Sequence, residues 1–172
     1  MSAPAKDSLL IGVDISPDAC RRAARRTGEL TWTCLCARGE QIPLKDESVD
    51  EVISTVAVPY FDIPTALKEI RRVLKPGAQL NATLHSLSFT VQELKTRPPV
   101  SPSAFLYRLY VFANGLWFHL TGSVLRYPFS RRFESWQSRR GISLALQQAG
   151  FSGISCTDMA NGSFVVQAIR PA

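Results

Sequence analysis

The sequence predicts an α/β fold: a mostly parallel sheet covered by helices and ending in an antiparallel hairpin. Three neighbouring stretches carry that expectation. Val52-Ile53-Ser54-Thr55-Val56 is a β-branched run of strand length. Beyond it, Ala66, Leu67, Ile70, Val73 and Leu74 recur on one helical stripe, with Lys68, Glu69, Arg71, Arg72 and Lys75 opposite. Pro76-Gly77 then stops the helix ahead of a second strand, Gln79 to Leu84. A strand, a crossover helix and a strand imply parallel pairing.

The elements follow in order. Leu9-Leu10-Ile11-Gly12-Val13-Asp14 reads as a buried parallel strand ending in an acid. Ser16 and Pro17 open a helix as cap and first-turn residue, with Gly28 as its stop, and Thr31 to Cys36 forms the next strand. Pro59 and Pro64 bracket a loop, and Asp62 offers an oxygen to cap the helix that enters at Pro64. In residues 86–138 prolines 98, 99 and 102 interrupt helix, and an apolar stretch runs from Phe105 to Leu125. That stretch has the length to span a bilayer, but Arg108, Asn114, Gly115, His119 and Gly122 break it. A buried or interfacial helix is expected rather than a stable membrane span, which leaves contact with a membrane surface open. Ile142, Ala145, Leu146 and Ala149 make the inward stripe of a helix over Arg140 to Gly150. Asn161-Gly162 signals a type I′ hairpin between strands Ile154 to Met159 and Ser163 to Arg170.

Composition bounds the function. The 172 residues suit a single domain, 1–172, and 45% hydrophobic with 20% charged residues is ordinary for a soluble globular chain. The net charge of +6 is spread over two groups, Arg21, Arg22, Arg25 and Arg26, and Arg131, Arg132, Arg139 and Arg140. These read as solvated helix faces. On that reading no nucleic-acid partner is expected. Cys20, Cys34, Cys36 and Cys156 form no C-x-x-C pair, and His85 and His119 lie far from them, so no metal site is expected. Reduced thiols and the lack of an apolar h-region in Met1 to Ser8 point to the cytoplasm.

The order Ile42-Pro43-Leu44, then Asp46 to Asp50, then LKEIRRVLKPG from Leu67 to Gly77 resembles the class I S-adenosylmethionine-dependent methyltransferases, especially their type 11 small-molecule group. Ala78 stands where the family has a second glycine. The resemblance implies a Rossmann-like methyltransferase sheet, with residues 86–138 as a helical lid inserted after the fifth strand. It implies S-adenosyl-L-methionine as cofactor, bordered by Asp14, Ile15, Glu40, Ile42, Ser54 and Thr55. In the family the acid ending the second strand accepts both ribose hydroxyls, and Asp14 takes that position; by itself it also reads as a turn or capping aspartate. Where the family places an acid facing the adenine amine, this chain has Arg38-Gly39-Glu40, so either Glu40 reaches the adenine or the contact is missing.

The family's glycine-rich loop should precede Asp14 by about 20 residues. Thirteen residues precede Asp14, with one glycine, Gly12, inside the strand. The first strand and helix unit is therefore expected to be missing. Its absence from the centre of the sheet leaves the strands on either side to pair directly or to flank an open hydrophobic slot. A fragment, a degenerate relative and a unit supplied by a second polypeptide are the three explanations.

The implied function is methyl transfer to a small, apolar or aromatic acceptor. Tyr60, His85 and His119 are candidates to border that acceptor, each also readable as structural, and no catalytic residue is assigned. Phe105, Tyr107, Tyr110, Phe112, Trp117 and Phe118 either line the lid or pack as core. The alternative is a non-catalytic methyltransferase-like module that binds a partner or a membrane surface.

Overall fold

In the computed structural model, which describes residues 9–25, 31–130 and 132–172, twelve elements follow one another. They are β1 (Leu9–Asp14), α1 (Pro17–Ala24), β2 (Thr31–Cys36), β3 (Val49–Thr55), a 3-10 turn (Val58–Tyr60), α2 (Ile63–Val73), β4 (Leu74–His85), α3 (Leu87–Thr96), α4 (Pro102–Thr121), α5 (Arg139–Gln148), β5 (Ser152–Asp158) and β6 (Ser163–Ile169). Gly28, the expected stop of the first helix, and Arg26 and Arg131 of the basic groups lie outside the described residues.

The strands form two sheets. β1 pairs in parallel with β2, while β3-β4-β6-β5 make a second sheet, parallel between β3 and β4 and antiparallel beyond. Of the two arrangements open for the central gap, direct pairing of β1 with β3 does not occur. Their unpaired edges explain one departure from expectation. The Leu9–Asp14 run was expected to be buried, yet Leu9 and Val13 are exposed, as is Ile53 of β3. An apolar run reads the same whether its strand is central or at an edge, and only the neighbours decide.

The core forms where the alternation of β4 and β6 meets the helices. Leu80, Ala82 and Leu84 lie beside Phe164, Val166 and Ala168. Against them pack Ile63, Leu67 and Ile70 of α2, Ile142, Ala145 and Leu146 of α5, and Phe118 of α4. Each such side chain contributes roughly 1.5–3 kcal/mol on burial. On the other face Asn81, buried, donates to Glu51 Oε1 at 2.6 Å and accepts from Gln167 Nε2 at 2.8 Å. This cross-strand row satisfies amide groups that would otherwise be costly to bury.

Three local readings change. Strand β4 begins at Leu74 rather than Gln79, with Pro76 and Gly77 (φ +78°) inside it. Asp62 is the N-cap residue of α2, but its Oδ2 accepts from Thr65 Oγ1 at 3.0 Å instead of capping a backbone N–H. The β5–β6 loop is not a type I′ turn, because Gly162 alone takes positive φ (+79°) there. Gly162 N–H donates to Met159 O and Met159 N–H to Ser163 O, the pattern of a type I turn followed by a glycine bulge.

The charged face of α2 makes connections to neighbouring segments. Arg72 donates to Ile42 O and Leu44 O (both 2.8 Å), to Glu69 and to Asp46. Glu69 Oε2 in turn accepts from Ile42 N–H at 3.1 Å. At the helix end Arg170 donates to the carbonyls of Arg71, Arg72 and Leu74, and pairs with Glu47. A guanidinium satisfies carbonyls that a helix terminus leaves unpartnered.

Arg72→Ala removes charge-assisted bonds and leaves two carbonyls without their donor, so it is expected to cost about 2–4 kcal/mol in urea unfolding. Arg72→Lys should recover less than half, since an ammonium lacks the planar fork. Arg72 holds the Glu69 carboxyl below its ordinary range. That stabilisation is complete above the unfolded value near pH 4.5 and is lost as pH falls through the folded one, and the Ala variant should lack this step.

Gly115 lies inside α4, where alanine would ordinarily gain about 1 kcal/mol. A Cβ there would meet the Trp136 indole at 2.2 Å. The indole is fixed by its own Nε1 bond to Phe112 O at 3.2 Å. Gly115→Ala is therefore expected to destabilise by about 1–3 kcal/mol in the same unfolding measurement.

Candidate functional site

Parallel strands gather their C-terminal ends on one edge, where loops are free to form a crevice. Two carboxylates join those loops across the two sheets here. Glu40, after β2, accepts from the Asp62 N–H, after β3, at 3.1 Å through Oε1. Glu69 accepts from Ile42 N–H, as above. The Phe61 ring closes on Gly39, where a Cβ would come within 2.7 Å of it, so this junction admits no larger residue. Beside the junction a cleft of about 310 Å³ is lined by Arg38, Glu40, Asp62, Thr65, Arg126 and Phe133. It brings together the loops after β2 and β3 and the end of the inserted segment.

The sequence-predicted cofactor residues sit around this edge in different states. Asp14 ends β1, exposed, with Oδ1 accepting from Ser16 N–H at 2.8 Å. That bond closes the turn into α1, whose Ser16 cap accepts from Ala19 N–H at 3.3 Å. Asp14 does not line the cleft. Ile15 is 63% exposed and its carbonyl accepts from the Cys36 thiol. Glu40 lines the cleft, its Oε2 in a 3.4 Å contact with Arg38. Both backbone groups of Ile42 are committed to Glu69 and Arg72, which gives this residue a structural duty. Ser54 Oγ is buried without a hydrogen-bond partner, and Thr55 is exposed at the tip of β3. Val56, just past the tip, has φ +58°, a conformation a β-branched side chain adopts only under strain. Its N–H donates to Thr83 O at 3.1 Å, which helps hold the turn.

Tyr60, half exposed at the end of the 3-10 turn, and His85 both feel the charge of Glu93 in the insertion. His85 ends β4 and stacks on Phe89 of α3, with ring centroids 3.7 Å apart. Burial holds its imidazole below the ordinary histidine range, with Glu93 pulling the other way. The Tyr60 phenol is pushed up by burial first, and then by the charges of Glu134 and Glu93 against Arg108. Arg108 pairs with Glu93 at 3.6 Å, and Tyr107 donates to Glu134 Oε2 at 2.5 Å. Arg108 also walls an apolar groove of about 290 Å³ with Leu94, Pro98, Pro99, Phe105, Leu109 and Phe112. His119 does not join this group: its Nδ1 is 2.9 Å from Ser138 Oγ, which accepts from Gly141 N–H and caps α5.

Glu93, Arg108 and Glu134 were missed by the sequence reading. A signal existed, since Glu93 and Glu134 are the only acids between residues 86 and 138. An acid isolated in a basic, aromatic run has reason to be paired. The aromatics divide between the two expected roles, Phe118 entering the core while Phe105 and Trp117 stay exposed. Among the described residues no group of three or more His, Cys, Asp or Glu is placed to hold a metal. Cys20 and Cys34 bring their sulfurs to 2.9 Å between α1 and β2, and all four cysteines are free thiols.

With this geometry in hand, comparison with known proteins is informative. Residues 2–81 match the family model described as a methyltransferase domain. Over 104 residues the chain is 32% identical to a malonyl-[acyl-carrier protein] O-methyltransferase of Herminiimonas arsenicoxydans, covering 57% of this chain and 38% of that protein. Over 171 residues it is 28% identical to a ubiquinone/menaquinone biosynthesis C-methyltransferase of Caulobacter vibrioides, covering 91% and 60%. The fold matches a solved SAM-dependent methyltransferase of Methanosarcina mazei with a TM-score of 0.58 at 18% identity, over 95% of this chain and 82% of that one. Residues 2–81 thus resemble a methyltransferase domain, and the chain has the Rossmann-like fold of the class I S-adenosylmethionine-dependent methyltransferases. It spans less than two thirds of the length of these two curated relatives.

Replacing Glu93 by Gln removes the charge that favours the His85 imidazolium. The His85 pKa, followed by NMR titration, is expected to fall further.

Proposed function

We propose that this chain takes part in methyl transfer from S-adenosyl-L-methionine to a small, apolar or aromatic acceptor. The observation that supports this most is the convergence of the loops after β2 and β3 at one strand-end edge, with Asp14 exposed at the neighbouring tip. The residues fit the nucleoside part of the cofactor. Asp14 bonds the two ribose hydroxyls, and Glu40 meets the adenine amine from the cleft wall. The strand end at Ser54 and Thr55 borders the ligand, with the unpartnered Ser54 Oγ as a spare polar atom. Ile15 gives apolar surface beside the ribose, and Ile42 acts by holding the junction.

When bound, the cofactor supplies a methyl group activated on a sulfonium. The protein's work is alignment and exclusion of water. The 86–138 insertion covers the acceptor, with Tyr60 and His85 at its inner end. A neutral His85 ring nitrogen can take the proton that an acceptor hydroxyl or amine releases, and burial keeps that nitrogen neutral to lower pH than usual. The apolar groove beside Arg108 suits an acceptor with a hydrophobic body and one anionic or polar end.

The test is calorimetric titration of S-adenosylhomocysteine into the whole protein. Asp14→Ala is expected to weaken binding by about 1–3 kcal/mol, the loss of charge-assisted bonds, with unchanged circular dichroism. Equal affinity in the variant removes Asp14 from the site. No heat at high ligand concentration with the wild-type protein favours the non-catalytic module.

A further inference from the structure

We infer that the outward face of α4 is a docking surface for an anionic membrane, with the helix lying in the plane of the bilayer surface. Every exposed position of α4 from Phe105 to Leu120 is apolar: Phe105, Leu106, Leu109, Leu116, Trp117, Leu120 and the small Ala113. At helical spacing they form one stripe about 22 Å long. The opposite side is already used, since Val111, Asn114, Gly115 and Phe118 are buried. A helix apolar all round is normally covered all round, and here one side has no cover among the described residues. Phe105 is 64% exposed and Leu109 57%, and their continuity along one helix face makes them a patch.

Charge selects the occupant. Between Glu93 and Glu134 the chain has no acidic residue, while it carries Lys95, Arg97, Arg108, Arg126 and Arg132. Lys95 and Arg97 are exposed ahead of the helix, next to Val100, which is 95% exposed. Arg126 and Arg132 are exposed beyond it, with Leu125 and Phe129 beside them. An apolar stripe with cations at both ends and a tryptophan within it is what an interfacial helix needs over anionic headgroups. An apolar protein patch would cover the stripe but leave the acid-free run without a complement. No helix of the described residues is long and apolar enough to cross a membrane, so α4 lies on the surface. Phe105 and Leu109 of this stripe also wall the groove that the methyl-transfer reading gives to the acceptor, so the surface is tested without cofactor or acceptor.

The experiment is flotation of the intact protein with vesicles of phosphatidylcholine alone and of phosphatidylcholine mixed with phosphatidylglycerol. Binding to the anionic vesicles is expected to exceed that to the neutral ones at least tenfold, and to fall as salt rises. A Leu109→Glu/Leu116→Glu double variant, checked by circular dichroism, should lose that binding tenfold or more. Lys95→Gln/Arg97→Gln should lose the preference for anionic lipid, and it decides the matter if the first variant fails to fold. Wild-type binding that is absent, or equal on both vesicles, overturns the inference. So does a wild-type dimer that Leu116→Glu dissociates without any vesicle uptake, which gives the face to a second copy of the chain.

Discussion

The arrangement depends on a pair of carboxylates that hold backbone N–H groups across a gap in the sheet. Glu69, braced by Arg72, takes the Ile42 N–H, and Glu40 takes the Asp62 N–H. In a continuous parallel sheet the strand ends are aligned by ladder hydrogen bonds. Here β1 and β2 have no ladder to β3, so that alignment comes from side chains reaching between loops. Charge-assisted bonds to backbone are among the stronger ones available, and their partial burial limits competition from water. Arg72 also fixes Ile42 O and Leu44 O, so the whole turn between β2 and β3 is oriented by one helix.

The consequence for chemistry is a crevice assembled from separate parts. Arg38 and Glu40 after β2 form one side, and Asp62 and Thr65 at the start of α2 the other, with Asp14 and the strained Val56 at strand tips outside the lining. Strain in a β-branched residue persists only where the surroundings enforce it, and such positions cluster near ligand sites. The insertion adds a third wall through Arg126 and Phe133, and its two acids are paired: Glu93 with Arg108, and Glu134 with Tyr107. Exposed Leu9, Val13 and Ile53 mark the edges where the two sheets have no partner strand among the described residues.

Much of this was legible in the sequence because periodicity and local chemistry fix it. The stripe of α2 is buried as its spacing requires, β2 runs from Thr31 to Cys36 as its alternation suggests, and Ser16-Pro17 opens α1. What was not legible depends on partners distant in the chain. Apolar runs in β1 and β3 look buried until the sheet order is known. The partners of the α2 charges appear only once the Ile42–Leu44 turn is folded against them. For the β5–β6 loop, Asn-Gly announced the turn but not its type, since Ala160 joins it and only Gly162 needs positive φ. Around the candidate site, strand-end positions for Asp14 and Thr55 followed from the pattern. The approach of Glu93 to Tyr60 and His85, and the use of His119 as a brace for the α5 cap, arise only from tertiary packing.

The account stands on the loops after β2 and β3 forming one rigid junction through those two carboxylates. Amide hydrogen exchange at Ile42 and Asp62 tests it most directly. Both N–H groups are expected to exchange far more slowly than those of an unprotected loop, and to slow together when S-adenosylhomocysteine is added. Exchange of both at the rate of open loop, with the core strands still protected, would contradict it.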